Sequence, residues 1–321
     1  MKVSILYKIV VLLSCSIIIT GITIFLTATY FMKEGFEDVS VTNLHNMEKI
    51  ISAEIAGMHK KYLEQAQFIS ESEKLINAIE NNDVEFARTF LTQQMQRTQA
   101  QFITLADASG KVILRTHSKK KDDHITNQRV VQLAQRGETT VNTEHGTAVK
   151  LSVRSAAPIV SNKKIIAIVV LGEAIDSNRF VDETKKKTGL EVTVFDQDTR
   201  VSTTLVENGR RAIGTKLTNQ KVLDTVLHGG SSYESDSVLF NKKYKTLYWP
   251  LRDNQGKTLG MWFIGLDYST ISNTISNIAY TCIIAVLAIA VVLSVVGILL
   301  ARAMTSPLRK SVQFASVVSQ G

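Results

Sequence analysis

Two short phrases carry the side chains best suited to chemistry, Leu114-Arg115-Thr116-His117 and Ser152-Val153-Arg154. In an extended strand residues two apart share a face, so Arg115 and His117 project together, as do Ser152 and Arg154. Two guanidinium groups, an imidazole and a hydroxyl, once brought together, suit a small anion. Arginine offers a planar fork that holds a carboxylate bidentately, and histidine adds a donor whose charge changes near neutral pH. The competing reading is that Arg115 and Arg154 are surface cations paired with local acids. A second group, Arg200, Thr203, Arg210, Tyr244 and Tyr248, offers another pocket, with Tyr244, Thr246 and Tyr248 on one strand face. An aromatic face in a small sheet also serves as core or as the seat of a helix. Trp249 and Trp262 are most simply core residues. The chain has no Gly-x-Ser-x-Gly elbow, no His-Glu-x-x-His and no phosphate-cradling glycine loop, and His45, His59, His117, His124, His145 and His228 are scattered without metal-ligand spacing. No catalytic residue, metal or cofactor is expected, and the chain does not read as an enzyme.

These residues lie in a polar middle bracketed by two stretches without charge, Ile9–Met32 and Ile278–Ala301. Each can cross a hydrocarbon core, which takes roughly 20 apolar residues. Lys2 and Lys8 precede the first, and Arg302, Arg309 and Lys310 follow the second, whereas Lys33 is soon followed by Glu34, Glu37 and Asp38. The positive-inside rule then puts both termini in the cytoplasm and the middle outside, in a two-span protein of the inner (plasma) membrane in contact with lipid. A cleaved leader is the alternative, but the apolar run is longer than a leader's core. Net charge is +8, yet the basic residues are dispersed, and the one dense run, Lys119-Lys120-Lys121, meets Asp122-Asp123 at once. A solvated loop explains it, and nucleic acid is not an expected partner. Cys15 and Cys282 fall inside the spans, so the outer part must hold together by its core alone.

After the first span, Val41, Leu44, Met47, Ile51, Ile55, Met58, Tyr62, Ala66 and Ile69 recur at intervals of three and four, one stripe of a long helix. A further helical stretch, Glu73–Arg97, is interrupted at Asn81-Asn82-Asp83. These stripes serve core packing or the seam of a homodimer. From Phe102 the pattern becomes short β-type runs with turns: Phe102–Ala106, Lys111–His117, Val149–Ala156 and Ile165–Gly172. A similar order returns in Val192–Phe195, Arg200–Leu205, a helical patch Gln220–Leu227, Tyr233–Leu239, Tyr244–Leu251 and Leu259–Asp267. Asp107 matches Asp196, Gly137 matches Gly229, Pro158 matches Pro250 and Gly172 matches Gly265, at an offset of about 90 residues. Counting along these landmarks puts Thr204 at the place of Arg115 and Thr246 at that of Arg154, so the anion is expected in the first repeat only.

The phrases Leu114–His117, Leu151–Ile159 with Val169–Gly172, Asp198–Thr204, and Tyr248–Asp253 running to Gly260–Gly265 resemble the double Cache sensor domains of bacterial transmembrane receptors. Arg115 to Arg154 is also similar to the outer domains of citrate and four-carbon dicarboxylate sensor kinases, although the Arg–His spacing is one residue shorter and Asp122-Asp123 stands in place of Gly-Asp. Thr305-Ser306-Pro307-Leu308, with Val312 and Ala315, resembles the first helix of a HAMP linker, which implies a chain continuing past Gly321.

The resemblance implies an α+β fold: a long N-terminal helix and two tandem Cache (PAS-like) antiparallel-sheet modules, flanked by two transmembrane helices, with the strands of Arg115 and Arg154 as neighbours. The expected boundaries are a cytoplasmic N-terminus 1–8, a span 9–32, a helical segment 33–100, a distal module 101–176, a proximal module 177–268, a span 275–301 and a linker start 302–321. The function implied is a methyl-accepting chemotaxis receptor. Its outer domain binds a small ligand, a carboxylate by preference, at Arg115, His117, Ser152 and Arg154, and it signals as a homodimer to downstream cytoplasmic proteins. A histidine kinase or diguanylate cyclase with the same outer domain, or a partner-protein-binding module, is the alternative.

Overall fold

The computed structural model describes residues Ile5–Val318. It divides into two units, one of residues 1–39 with 268–321 and one of Ser40–Asp267. The outermost ends of the expected cytoplasmic N-terminus and linker, residues 1–4 and 319–321, lie outside the described residues.

The sequence of elements is α1 (Ile5–Ser70), α2 (Glu73–Glu80), α3 (Val84–Thr98), β1 (Phe102–Asp107), β2 (Val112–Arg115), α4 (Arg129–Ala134), β3 (Thr140–His145), β4 (Leu151–Ser161), β5 (Lys164–Ala174), α5 (Asn178–Thr188), β6 (Glu191–Asp196), β7 (Thr199–Thr203), β8 (Val206–Glu207), β9 (Arg210–Arg211), α6 (Gln220–Val222, with a π-helical turn Leu223–His228), β10 (Tyr233–Leu239), β11 (Lys242–Arg252), β12 (Thr258–Asp267) and α7 (Ser269–Val318). This is an α+β fold with a long N-terminal helix and antiparallel sheets.

Within Ser40–Asp267, two five-stranded sheets have the same topology, β2-β1-β5-β4-β3 and, read from the other end, β7-β6-β12-β11-β10. The break between α2 and α3 falls at the expected polar triplet, where the Asp83 carboxylate caps α3 by accepting from Phe86 N at 3.0 Å. The α1 stripe faces the core: Leu44, Ile51, Tyr62, Ala66 and Ile69 are buried, with Met47, Ile55 and Met58 packed beside them. Alternation along each strand sends Ile103, Leu105, Val153, Val169 and Leu171 of the first sheet, and Val192, Val194, Trp249 and Trp262 of the second, into this helix-side core. Trp249 and Trp262 are cross-strand partners with rings stacked at 6.1 Å. The opposite faces carry separate cores, Phe102, Ala156 and Val170 with Val130 and Val131 of α4 in the first sheet, and Phe195, Tyr248 and Phe263 with Val222 and Val226 in the second.

In the other unit, among the described side chains, the start of α1 and the middle of α7 expose long apolar groups, among them Leu12, Ile19, Phe31, Ile284 and Val291. Both helices contain stretches long and apolar enough, by length and composition, to cross a membrane. A Cβ at Gly21 would stand 2.8 Å from Val286 Cγ1, so the glycine lets the two helices approach closely. The segment beginning at Thr305 continues α7 without a break; the expected Leu308, Val312 and Ala315 seam lies outside the described side chains.

Candidate functional site

Arg115, His117 and Arg154 line one small cavity, partly open to solvent, on the α4 side of the first sheet, and Phe102, Gln128 and Thr147 share its wall. The route by which they meet differs from the sequence expectation. β2 ends at Arg115, and His117 lies in the bend beyond it. β2 and β4 are not neighbours, since β1 and β5 separate them. Register explains the convergence: Arg115 pairs with Thr104, Thr104 with Val170 and Val170 with Ala156, while Phe102, Gly172 and Arg154 form the adjacent row of the same face.

Arg154 is buried, with its guanidinium 5.3 Å over the Phe102 ring. Nη2 donates to the Ser152 hydroxyl at 3.0 Å and to the Val149 carbonyl at 3.1 Å, and Nε has no hydrogen-bond partner. Ser152 thus acts through Arg154. Two glycines make room. A Cβ at Gly146 would fall on the Arg154 guanidinium, and one at Gly172 would meet the Val153 carbonyl oxygen and stand 2.9 Å from Phe102 Cζ. Burial lowers the Arg154 pKa to about 10, against the pull of Glu144, so the side chain stays cationic at neutral pH.

Arg115, only 3% exposed, forms a bidentate pair with Asp123, at 2.6 Å (Nη1–Oδ1) and 3.0 Å (Nη2–Oδ2), and also donates to the Lys120 carbonyl at 2.7 Å. The paired-cation alternative therefore holds for Arg115, but in a buried setting. The hydrogen bonds from Arg115 lower the Asp123 pKa to about 2, against the effect of burial. Between the cations, both His117 ring nitrogens are buried without a hydrogen-bond partner. Burial first, then Arg115 and Arg154, lowers its pKa to about 4, so the imidazole is neutral at pH 7, with one N–H to donate and one nitrogen to accept. The site therefore presents one compensated cation, Arg115, a second cation with an unused donor, Arg154, and a polar ring that packs on Phe102 at 5.5 Å without a hydrogen-bond partner. Its donors are of the kind that suit a small anion.

The second sheet shows why the equivalent place differs. Thr204 N donates to Val192 O there just as Thr116 N donates to Ile103 O in the first sheet. This corrects the sequence count by one: Thr203, not Thr204, stands where Arg115 does, and it pairs with Thr193 as Arg115 pairs with Thr104. Tyr244 and Thr246 occupy the places of Ser152 and Arg154, so no cation replaces those of the first sheet. Register also sets Tyr248 at Ala156, Phe263 at Val170 and Phe195 at Ala106. Small residues leave the cavity in one sheet, whereas in the other the Tyr248 and Phe263 rings lie 5.0 Å apart.

Tyr244 and Tyr248 are core, and burial raises both pKa values to about 12. Arg200 is buried over Phe195 at 5.1 Å with Nη1 on the Thr215 hydroxyl, the Thr203 hydroxyl meets that of Thr193 at 2.6 Å, and Arg210 is exposed on β9. Tyr244, Tyr248, Arg200 and Thr203 thus make packing and hydrogen-bond contacts, Arg200 Nε is buried without a hydrogen-bond partner, and Arg210 stands apart from them in solvent.

Residues 172–278 match the family model described as single Cache domain 3. A long N-terminal helix with antiparallel sheets is typical of Cache domains. Among solved structures, the chain is similar to the extracellular domain of vpHK1S-Z8, described as a histidine kinase, at 12% identity over 75% of this chain and 98% of that one, with a TM-score of 0.50. It is also similar to the sensor domain of the V. cholerae histidine kinase DctB, at 12% identity, 74% and 98% coverage and a TM-score of 0.49. A third is the ligand-binding domain of the Campylobacter jejuni chemoreceptor Tlp3 in complex with L-norvaline, at 13% identity, 73% and 91% coverage and a TM-score of 0.43. At these identities the likeness concerns the fold, which does not fix a ligand. No curated protein matches the chain by sequence.

Proposed function

We propose that the chain is the sensing part of a two-span transmembrane chemoreceptor whose first Cache-type module, residues 101–176, binds a small organic acid. The observation that carries this reading is the meeting of buried Arg154, its Nε unused, with a neutral His117 lacking partners and with Arg115 in one cavity. A ligand carboxylate takes hydrogen bonds from Arg154 and His117 and competes with Asp123 for Arg115, loosening the loop that carries Lys120 and Asp123.

The same strands connect to the rest of the outer unit. Asn142 of β3 is the register partner of Arg154, and its Oδ1 accepts from Asn254 N at 2.9 Å in the turn between β11 and β12. Asn254 Nδ2 donates to the Val141 carbonyl at 2.7 Å. β12 ends at Asp267 and α7 begins at Ser269, so a shift of β3 bears on the strand that leads into the second apolar helix. On the α1 side, Tyr62 donates to Glu173, next to Gly172, at 2.7 Å. In this account the proximal module 177–268 transmits without a ligand of its own. The chain works as a homodimer in the inner membrane with both termini cytoplasmic, and its output reaches chemotaxis proteins through a HAMP linker. A micromolar ligand, worth about 8 kcal/mol, leaves ample room for the few needed to bias two signalling states.

A thermal-unfolding screen of the full chain in nanodiscs against mono-, di- and tricarboxylates and amino acids tests this. A carboxylate at 100 times its Kd should add about 2.7 kcal/mol of stability. A panel with no stabilising acid would turn the reading towards a partner-protein-binding domain.

A further inference from the structure

A second cavity, of about 330 Å³ and partly open to solvent, lies on the opposite, helix-covered face of the first sheet. Its wall is mostly aliphatic, with Ile79 of α2, Leu105 of β1, Ile113 of β2 and Ile166 of β5. Three carboxylates also line it, exposed Glu80 and Asp83 and half-buried Asp107.

Each carboxylate uses one oxygen on the protein. Glu80 Oε1 accepts from the Ser161 hydroxyl, Asp83 Oδ1 from Phe86 N, and Asp107 Oδ1 from Ser109 N at 2.8 Å and Lys111 N at 3.0 Å. Among the described residues, the other oxygen of each accepts no hydrogen bond, and none of the three is in an ion pair. At Asp107 burial pushes the pKa up, and the hydrogen bonds from Ser109 and Lys111, with the nearby His124, outweigh it, leaving the group below its ordinary value and ionised at neutral pH.

In a chain of net charge +8, three carboxylates outside any ion pair around an apolar hollow, with His124 as the one titratable group acting on Asp107, call for a complementary charge from outside. We infer that this cavity binds a small organic cation with an aliphatic body, of which a primary alkylamine is the simplest form. The hydrocarbon leaves water against Ile79, Leu105, Ile113 and Ile166, and the ammonium meets the free carboxylate oxygens. This site does not depend on the anion cavity, although β1, β2 and β5 contribute to both.

Three probes with one body separate charge from hydrophobicity: isobutylamine, isobutanol and isobutyrate, titrated calorimetrically at pH 7 into the full chain in nanodiscs, with empty discs subtracted. The amine should bind at least about tenfold more tightly than the alcohol. The triple variant Glu80→Gln, Asp83→Asn, Asp107→Asn, whose amide oxygens can still accept the local hydrogen bonds, should weaken the amine by about tenfold or more and leave the alcohol unchanged. Glu80→Gln alone, at the exposed end of α2, should weaken the amine severalfold should the triple variant fold poorly. Arg154→Gln should not change amine binding, so failure of the anion reading is scored separately by isobutyrate. Equal affinity for amine and alcohol, an amine indifferent to the amide substitutions, or no heat with the amine would each overturn the assignment. Loss of amine binding as the protein self-associates would give the groove to a second copy and overturn it too.

Discussion

Replacing Asp123 by asparagine keeps the shape of the loop and removes the charge facing Arg115. Arg115 is 3% exposed and takes both Asp123 oxygens, so its compensation is local. The Asp123 pKa lies at about 2 against an ordinary 3.8. At ~1.4 kcal/mol per unit, this difference makes the pair worth about 2 kcal/mol. Because the folded-state value is depressed, the stabilisation is fully present above the unfolded value and is lost as pH falls through the folded one. Asp123→Asn should therefore cost about 2 kcal/mol at pH 7, a fall in midpoint of roughly 4–8 °C for a folded unit of this size. The gap to the wild type should close as pH falls from about 5 towards 2. The uncompensated Arg115 should also raise affinity for a small carboxylate by about tenfold. Thermal unfolding of both proteins from pH 7 to pH 2, with carboxylate titrations at pH 7, measures all three effects. A loss below about 0.5 kcal/mol at pH 7, or an equal loss at both ends of the range, would refute the pairing argument.

Three further predictions follow from particular contacts. Gly146→Ala places a methyl on the Arg154 guanidinium, so it should weaken carboxylate binding by about tenfold while stability changes by no more than about 1 kcal/mol, read by titration and melting side by side. Asn142→Ala removes the acceptor for Asn254 N; carboxylate affinity should change less than about threefold, while a spin-label distance across α7 should no longer respond to ligand. In intact cells, a cysteine at Ser232 should react with an impermeant maleimide and one at Lys310 should not; the reverse would overturn the two-span topology.

Most of the architecture was legible because alternation and three-to-four spacing are strong wherever one face is buried. The α1 stripe, the break at Asn81–Asp83 and the strand Tyr233–Leu239 show this. β3 was not, because its buried residues Asn142, Thr143 and Glu144 are polar and give no apolar rhythm. Arg115, His117 and Arg154 were recognisable by type and period. What closes around them was not: the Asp123 pairing, the Phe102 ring under Arg154 and the space left by Gly146 come from a loop and cross-strand register. One signal was available in the repeat, since Ala156 and Val170 face Tyr248 and Phe263 across the offset, a change from small to large that separates the open sheet from the filled one.

The central claim is that Arg154 and His117 together receive a carboxylate. Titration calorimetry of the best acid from the screen against wild type, Arg154→Gln and Thr246→Val, the last altering the equivalent position in the second sheet, tests it directly. The account predicts a loss of about 100-fold or more for Arg154→Gln and an unchanged constant for Thr246→Val. Equal affinity in wild type and a folded Arg154→Gln variant would contradict it.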